Sequence, residues 1–160
     1  MSDGTGFLRE LLVATAAGSV SAIGTDPAVL GIGTDPAVLG IGTDPAVRRA
    51  ADLLPGRVKV AESPARARAR FGGREAFGCI YTVAVPEFHT DPGEVAALVP
   101  LLAPDAALWV FDEAGPGEDI GALSMRVSTV LARGGFVIVD MLEHGSWVAV
   151  WAAAAGRDHG

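Results

Sequence analysis

The sequence has few of the residues that characterise several large classes of protein. Cysteine occurs once, at Cys79, so no disulfide framework can form, and we expect a reducing, cytoplasmic environment. Lys and Arg number 12 against 19 Asp and Glu, an acidic balance that argues against a nucleic-acid binder. No apolar run reaches the ~18 residues that a membrane-spanning helix needs, so no membrane partner is expected. The motifs H-E-x-x-H and C-x-x-C and the P-loop lysine are missing too, so we expect no metal site.

The composition nevertheless allows a sizeable buried core. The chain has 160 residues, of which 50% are hydrophobic and 19% are charged. This length predicts one domain. We place the domain at residues 1–156 and expect residues 157–160 to be a frayed tail.

A tandem repeat is the most unusual feature of the sequence. The unit GTDPAVLGI occurs twice in full from Gly24 and begins a third time, which ends at Val47. Calcium-binding rolls also use nine-residue repeats, but the proline after each aspartate removes a backbone donor that their strands need, and two full units are too few for a stable stack. We therefore interpret residues 24–47 as a tandem duplication whose extra copies form an insertion on the surface.

Local patterns predict an alternation of strands and helices. An aspartate followed by proline begins a helix at Asp44 and again at Asp91, and Gly134-Gly135 closes a helix over Ile120–Arg133. Short apolar runs predict strands at Ser19–Ile23, Arg57–Ala61, Phe77–Val85, Leu108–Phe111, Phe136–Met141 and Trp147–Ala152. This order predicts an α/β fold, with a mostly parallel sheet, helices on both faces and an antiparallel hairpin at the end.

Two further patterns concern the surface and the core. Arg66, Arg68 and Arg70 alternate with alanine, so on a strand they would share one solvated face. Continuous apolar runs, which indicate strands buried on both faces, place the core at Phe77–Val83, Leu108–Phe111 and Val137–Val139.

The second half of the chain carries a family resemblance. Two segments carry it, FGCIYTVAVPEFHTDPGEVAALVPLLAPDAALWVFDEAGPGE and LARGGFVIVDMLEHGSWVAVWAAA. They resemble the fourth strand, the following helix, the fifth strand and the closing hairpin of class I S-adenosylmethionine-dependent methyltransferases. The resemblance implies a Rossmann-like fold, S-adenosylmethionine as cofactor, and methyl transfer to a small-molecule acceptor whose identity the sequence does not give.

The resemblance also implies a cofactor-binding loop of the form G-x-G-T-G after the first strand. Gly4, Thr5 and Gly6 are the candidates, since they directly precede a predicted helix, and glycines there let a ligand approach backbone N–H groups. No strand precedes them, so we expect either that the sequence begins inside the motif, with the first strand upstream, or that the sheet lacks its first strand. Such a gap would leave backbone groups unpaired and could pair with a second chain, which makes a homo-oligomer possible.

Acidic residues are implied at two further cofactor positions. In the family, the second strand ends in an acid that accepts both ribose hydroxyls, and the strand Ser19–Ile23 places Asp26 there, with Asp44 as a helix cap. The alternative is a strand at Val38–Gly42, with Asp44 as the ribose ligand. Glu62 follows another strand, near the position of an acid that contacts the adenine.

His89 and Glu87 are the candidate catalytic residues. They follow the strand after which this family meets its substrate, and a histidine can serve as a general base toward an oxygen or nitrogen nucleophile. Asp112-Glu113, at the end of a neighbouring strand, would bind a polar substrate or cap a loop. Gly78 and Pro64 stand where the family has acids, so a non-catalytic relative that serves as a binding or scaffold module is the second hypothesis beside the enzyme.

Overall fold

The computed structural model describes residues 38–43, 47–48, 58–73, 76–144 and 146–154. Within these ranges the strands are β1 (Val38–Ile41), β2 (Val58–Ala61), β3 (Phe77–Val83), β4 (Leu102–Glu113), β5 (Phe136–His144) and β6 (Trp147–Ala154). The helices are α1 (Pro64–Phe71), α2 (Glu87–Thr90), α3 (Pro92–Ala96) and α4 (Ile120–Arg133), and a 3-10 turn at Val99–Leu101 precedes β4.

All six strands form one sheet in the order β2-β1-β3-β4-β6-β5. The first four strands are parallel, whereas β6 is antiparallel to both β4 and β5. Parallel neighbours need crossover connections, and α2 and α3 lie in the one between β3 and β4. The predicted fold class, a mostly parallel α/β sheet with a closing antiparallel hairpin, is therefore confirmed.

Strand β1 comes from inside the repeat. Val38–Ile41 is buried along its whole length and pairs with β2 on one side and β3 on the other. The run Val-Leu-Gly-Ile suits this place because a strand covered on both faces needs no polar alternation. The prediction that the extra copies form a surface insertion is therefore wrong for residues 38–41, and the alternative strand beginning at Val38 is confirmed.

The sheet has no gap at this position. We expected a missing first strand to leave unpaired backbone groups in the middle of the sheet, but among the described strands β1 fills the space between β2 and β3. The expectation of a gap is therefore wrong, because the repeat itself supplies a central strand, β1. The predicted strand at Ser19–Ile23 lies outside the described residues.

The arginine-rich segment is a helix and not a strand. The Ser63 side chain accepts a hydrogen bond from the Arg66 backbone N–H at 3.1 Å, and Pro64 occupies the first turn, so cap and proline together start α1. Ala67 and Phe71, four residues apart, form its buried side. The arginines therefore do not share a strand face, but Arg66, Arg68 and Arg70 are all exposed, so the prediction that they are solvated is confirmed.

Helix α4 has the predicted bounds. The Asp119 side chain caps it by accepting from the Ala122 backbone N–H at 2.9 Å, and Gly134 ends it. Its buried side chains recur at spacings of three and four and pack against β5 and β6: Leu123, Val127, Val130 and Leu131.

The sheet separates two apolar layers. The described helices α1 to α4 cover one face, where Phe71, Phe88 and Leu123 belong to the larger core cluster. On the other face, Tyr81 and Trp109 are fully or almost fully buried. The predicted core at β3 and β4 is confirmed, but Val137 and Val139 on the outer strand β5 are 54% and 48% exposed, because β5 lies at the end of the sheet. Among the described residues, no helix is long and apolar enough to cross a membrane.

Candidate functional site

The four parallel strands end at one edge of the sheet. Ligands of open α/β sheets bind outside the carboxyl ends of the strands, so the residues that follow them define the candidate site. Glu62 follows β2, Gly42 and Thr43 follow β1, the loop leading to α2 follows β3, and Asp112 lies at the end of β4. The site is therefore assembled from segments far apart in the sequence.

A glycine turn follows β1. Gly42 has a φ of 135°, and a side-chain Cβ there would lie 2.7 Å from the Val83 carbonyl oxygen, so both the backbone conformation and the space require glycine. The Gly42 N–H donates to the Ala61 carbonyl at 2.9 Å and ties the turn to the end of β2. Residues 47–48 are helical, and Val47 is 1% exposed. The chain therefore passes from strand through a glycine turn toward a helix.

Glu62 lies beside this turn. It comes directly after Ala61, the residue whose carbonyl holds Gly42. Its side chain is exposed, and its carboxylate lies 3.9 Å from the Arg66 guanidinium, four residues along the chain. An exposed pair at this distance holds the carboxylate only weakly, so Glu62 is available to a ligand at the sheet edge.

The segment after β3 begins with a strained residue. Ala84 has a φ of 55°, a left-handed conformation that costs an alanine roughly 1–2 kcal/mol. Its N–H donates to the Phe111 carbonyl at 2.9 Å, which fixes this conformation against the end of β4. The chain then turns through Pro86 into α2, where Phe88 is fully buried and anchors the helix to the core. His89 follows this anchor.

His89 and Asp112 form a hydrogen-bonded pair across the site. The His89 Nε2 contacts an Asp112 carboxylate oxygen, and the second oxygen of Asp112 accepts from the Glu113 backbone N–H at 2.9 Å. The Asp112 side chain is 6% exposed and that of His89 is 27% exposed. A carboxylate held by two donors in this way fixes the orientation of the imidazole ring and leaves Nδ1 as its other nitrogen.

The pair raises the pKa of His89. The hydrogen bond to Asp112 is the largest cause, the negative charge of Asp112 adds to it, and burial and the Arg126 charge oppose it. A carboxylate close to an imidazole favours the protonated ring, so His89 carries a proton to a higher pH than an isolated histidine does. Such a ring accepts a proton more readily than an isolated imidazole does.

The structure places some of the site residues predicted from the sequence at this sheet edge, and others lie outside the described residues. His89 lies at the site, but its partner is Asp112 and not Glu87, which is half-buried in the first turn of α2. Glu62 lies at the same sheet edge. Gly4, Thr5, Gly6 and Asp26 lie outside the described residues.

Sequence reasoning missed the link between His89 and Asp112. Their separation of 23 residues hides it, although β3 and β4 are parallel neighbours whose carboxyl ends must meet. It also missed the turn at Gly42, which Gly40-Ile41-Gly42-Thr43 matches as G-x-G-T. In the part of the chain that the structure describes, no group of three metal-ligating side chains occurs.

A groove of about 500 Å³ opens beside His89. It runs between the end of α2 and the exposed side of α4, and its volume is within the range of small-molecule sites. Met125, which is 62% exposed, lies in its wall, and Arg133 lines it near the end of α4. Arg126 also lines it and pairs with Glu118 at 2.7 Å. The groove gives a small molecule a route to the His89 ring.

Comparisons with known proteins agree on the fold. No protein-family model matches the sequence, and a search of curated proteins finds no match. Among solved structures, the chain is similar to a ribosomal protein L11 methylase from Lactobacillus delbrueckii subsp. bulgaricus, with a TM-score of 0.57 and 14% identity over 97% of this chain and 81% of that one.

Two further solved structures are similar to the chain. The glycopeptide N-methyltransferase MtfA, complexed with sinefungin, gives a TM-score of 0.55 and 13% identity over 96% of this chain and 94% of that one. Phosphoethanolamine N-methyltransferase 2 from Haemonchus contortus, solved with S-adenosylhomocysteine, gives a TM-score of 0.59 and 9% identity over 92% of this chain and 37% of that one. These neighbours act on different acceptors, and identities this low show the fold alone.

Proposed function

We propose that this chain, which has the Rossmann-like fold of the class I S-adenosylmethionine-dependent methyltransferases, binds S-adenosylmethionine and transfers its methyl group to a small-molecule acceptor. One observation carries the proposal. A strand ends in a glycine turn that leads toward a helix, and an acid follows the adjacent parallel strand at the same edge of the sheet. The sequence motif G-x-G-T and this topology agree at Gly40–Thr43, which replaces Gly4, Thr5 and Gly6 as our candidate loop.

The residues around the turn fit the cofactor. Gly42 gives the chain the φ of 135° that turns it at the end of β1, and the exposed Thr43 that follows presents the turn to a ligand. Glu62 lies one strand away, and its exposed carboxylate suits the two ribose hydroxyls, because an ionised carboxylate accepts two hydrogen bonds at once. We therefore assign the ribose contact to Glu62, whereas the sequence analysis assigned it to Asp26. Glu62 was there placed near the adenine.

The chemistry requires alignment and a base. S-adenosylmethionine supplies an electrophilic methyl group when it is bound, so the protein has to orient the acceptor and remove its proton. Asp112 accepts the His89 Nε2–H and so keeps Nδ1 unprotonated in the neutral ring. We assign Nδ1 as the general base that takes the proton from the acceptor hydroxyl or amine. Asp112 orients the ring and stabilises the imidazolium that forms, whereas Glu87 has no assigned role in this step.

The groove beside His89 is the proposed acceptor site. It reaches the His89 ring at one end, and its wall combines the apolar Met125 with the cationic Arg126. A small molecule with an apolar part fits this lining, and its nucleophile would lie at the His89 end.

Calorimetric titration with S-adenosylhomocysteine tests the proposal. The wild-type chain should bind, and Glu62→Gln should weaken binding by roughly 10- to 100-fold, because two hydrogen bonds to a charged acceptor become bonds to a neutral amide. Glu113→Gln is the matched control, since Glu113 is an exposed acid at the end of another parallel strand. Equal affinities of the two variants would remove Glu62 from the site, and a wild-type chain that does not bind would overturn the proposal.

A binding or scaffold module without methyl transfer is the second candidate. One observation favours it: Asp44 occupies the position of the last glycine in G-x-G-T-G, where a carboxylate opposes an anionic part of any ligand. Mixing the chain with S-adenosylmethionine and a panel of phenol, amine and carboxylate acceptors distinguishes the two. Release of S-adenosylhomocysteine that depends on His89 supports the enzyme, and its absence with every acceptor supports the module.

A further inference from the structure

Tyr81 occupies the space that the missing side chain of Gly40 leaves. Both residues lie on paired strands, with Gly40 of β1 opposite Tyr81 of β3. A Cβ on Gly40 would lie 2.6 Å from the ring carbon that bears the hydroxyl and 2.7 Å from the hydroxyl oxygen itself. No real Cβ approaches another atom so closely, so the position of the ring depends on glycine at this place.

The Tyr81 hydroxyl is directed at the chain beyond the glycine turn. It donates a buried hydrogen bond to the Val47 carbonyl at 3.0 Å. Val47 in turn lies against the turn, since one of its methyl groups would be 3.3 Å from a Cβ on Gly42. A single side chain therefore contacts β1 before the turn and the helical segment after it.

The buried environment makes the loss of this hydrogen bond costly. Tyr81 is fully buried, and burial raises the pKa of its phenol, with the neighbouring Cys79 adding to the rise. In an apolar layer an unpaired hydroxyl costs far more than it does in water, so the bond to Val47 is maintained. The backbone on both sides of Gly42 is thereby fixed to β3.

We propose that Tyr81 is a positioning residue that holds the Gly42–Thr43 turn in its ligand-binding conformation. The inference rests on the proposed function, because it assumes that S-adenosylmethionine binds at this turn. A turn that is already fixed binds without the entropy cost of ordering it, so loss of the hydroxyl should weaken binding although Tyr81 itself touches no ligand.

Tyr81→Phe tests the inference because it keeps the ring and removes only the donor. Titration with S-adenosylhomocysteine should show a dissociation constant about 3- to 10-fold higher than that of the wild-type chain, the range that one net hydrogen bond corresponds to. Hydrogen exchange of the Val47 and Arg48 amides should be faster in the free variant and should slow down again when the ligand is bound.

Thr82→Val is the matched control. Thr82 is the next residue of β3 and is also fully buried, but within the described part of the chain its hydroxyl has no hydrogen-bond partner. This variant also loses a buried hydroxyl, and it should leave both the dissociation constant and the exchange of Val47 unchanged.

The outcomes separate the inference from the proposed function. A wild-type chain that binds, together with a Tyr81→Phe variant of equal affinity, would overturn the positioning role and leave the proposed function standing. A wild-type chain that does not bind would refute the proposed function. If the Val47 and Arg48 amides also exchanged at the same rate in Tyr81→Phe and in the wild type, the claim that Tyr81 fixes the turn would be refuted as well.

Discussion

Deletion of repeat units tests whether the repeat is needed to build the central strand β1. Removal of one unit, Gly33–Ile41, restores the same local sequence, because Val29–Ile32 is also Val-Leu-Gly-Ile and again precedes GTDPAVRR. Removal of both units, Gly24–Ile41, instead joins Val20-Ser21-Ala22-Ile23 to that segment. In the second chain Ser21 replaces Leu39, and Ala22 replaces Gly40.

The structure gives the size of the effect. Leu39 is fully buried, and loss of a buried leucine side chain costs about 2–5 kcal/mol. An alanine in place of Gly40 would press against the Tyr81 ring, and such overpacking costs about 1–3 kcal/mol. The double deletion should therefore lower the free energy of unfolding by at least about 3 kcal/mol. The single deletion keeps the same strand sequence ahead of GTDPAVRR and should change the free energy of unfolding by less than about 1 kcal/mol.

Urea unfolding followed by tryptophan fluorescence measures both deletions. All three tryptophans lie on β4 and β6, so their emission reports on the sheet. Ala22→Gly in the doubly deleted chain should recover about 1–3 kcal/mol, since it restores the space for Tyr81. A double deletion as stable as the wild type, or a single deletion that unfolds the protein, would refute our account of β1.

Three further predictions concern the strand ends. Thr82→Val should raise the free energy of unfolding by about 1–2 kcal/mol in urea titrations, because it removes a buried hydroxyl that lacks a partner among the described residues; a loss of stability would contradict this. Ala84→Gly should raise it by up to about 1 kcal/mol in the same assay, because glycine adopts a φ of 55° without strain, whereas a loss would mean that Ala84 is unstrained. Asp112→Asn should lower the pKa of His89 in NMR titrations. Because the folded pKa of His89 is raised, the stability that the pair adds to the wild type is complete below the unfolded pKa of about 6.5 and is lost as the pH rises through the folded pKa; an unchanged His89 pKa would contradict the pairing.

The sequence predicted well those elements whose signals are local. Helix α4 has its cap at Asp119 and its stop at Gly134 within the segment itself. The hairpin of β5 and β6 and the buried strand β3 were also predicted, since continuous apolar runs and a short turn determine them.

The repeat could not be resolved from local signals. Identical copies have identical propensities, so nothing within them favours Val38–Ile41 over Val29–Ile32. Both copies supply the glycine that Tyr81 requires opposite it, so the place of β1 depends on how the chain after Val38–Ile41 packs, where Val47 is buried and its carbonyl accepts the Tyr81 hydrogen bond. Such long-range packing is absent from any window of sequence.

Other differences have equally specific causes. The alternating arginines of α1 show a strand period, but the Ser63 cap and Pro64 outweigh it. At the candidate site, His89 and Asp112 were each recognised, yet their pairing depends on the adjacency of β3 and β4. Residue types were therefore predictable, and partnerships across the sheet were not.

A crystal structure of the chain with S-adenosylhomocysteine tests the central claim most directly. Our account predicts that the ligand lies over the Gly42–Thr43 turn, with both ribose hydroxyls within hydrogen-bonding distance of the Glu62 carboxylate and the sulfur facing the His89 side of the edge. A ligand bound elsewhere, or none at a saturating concentration, would contradict it.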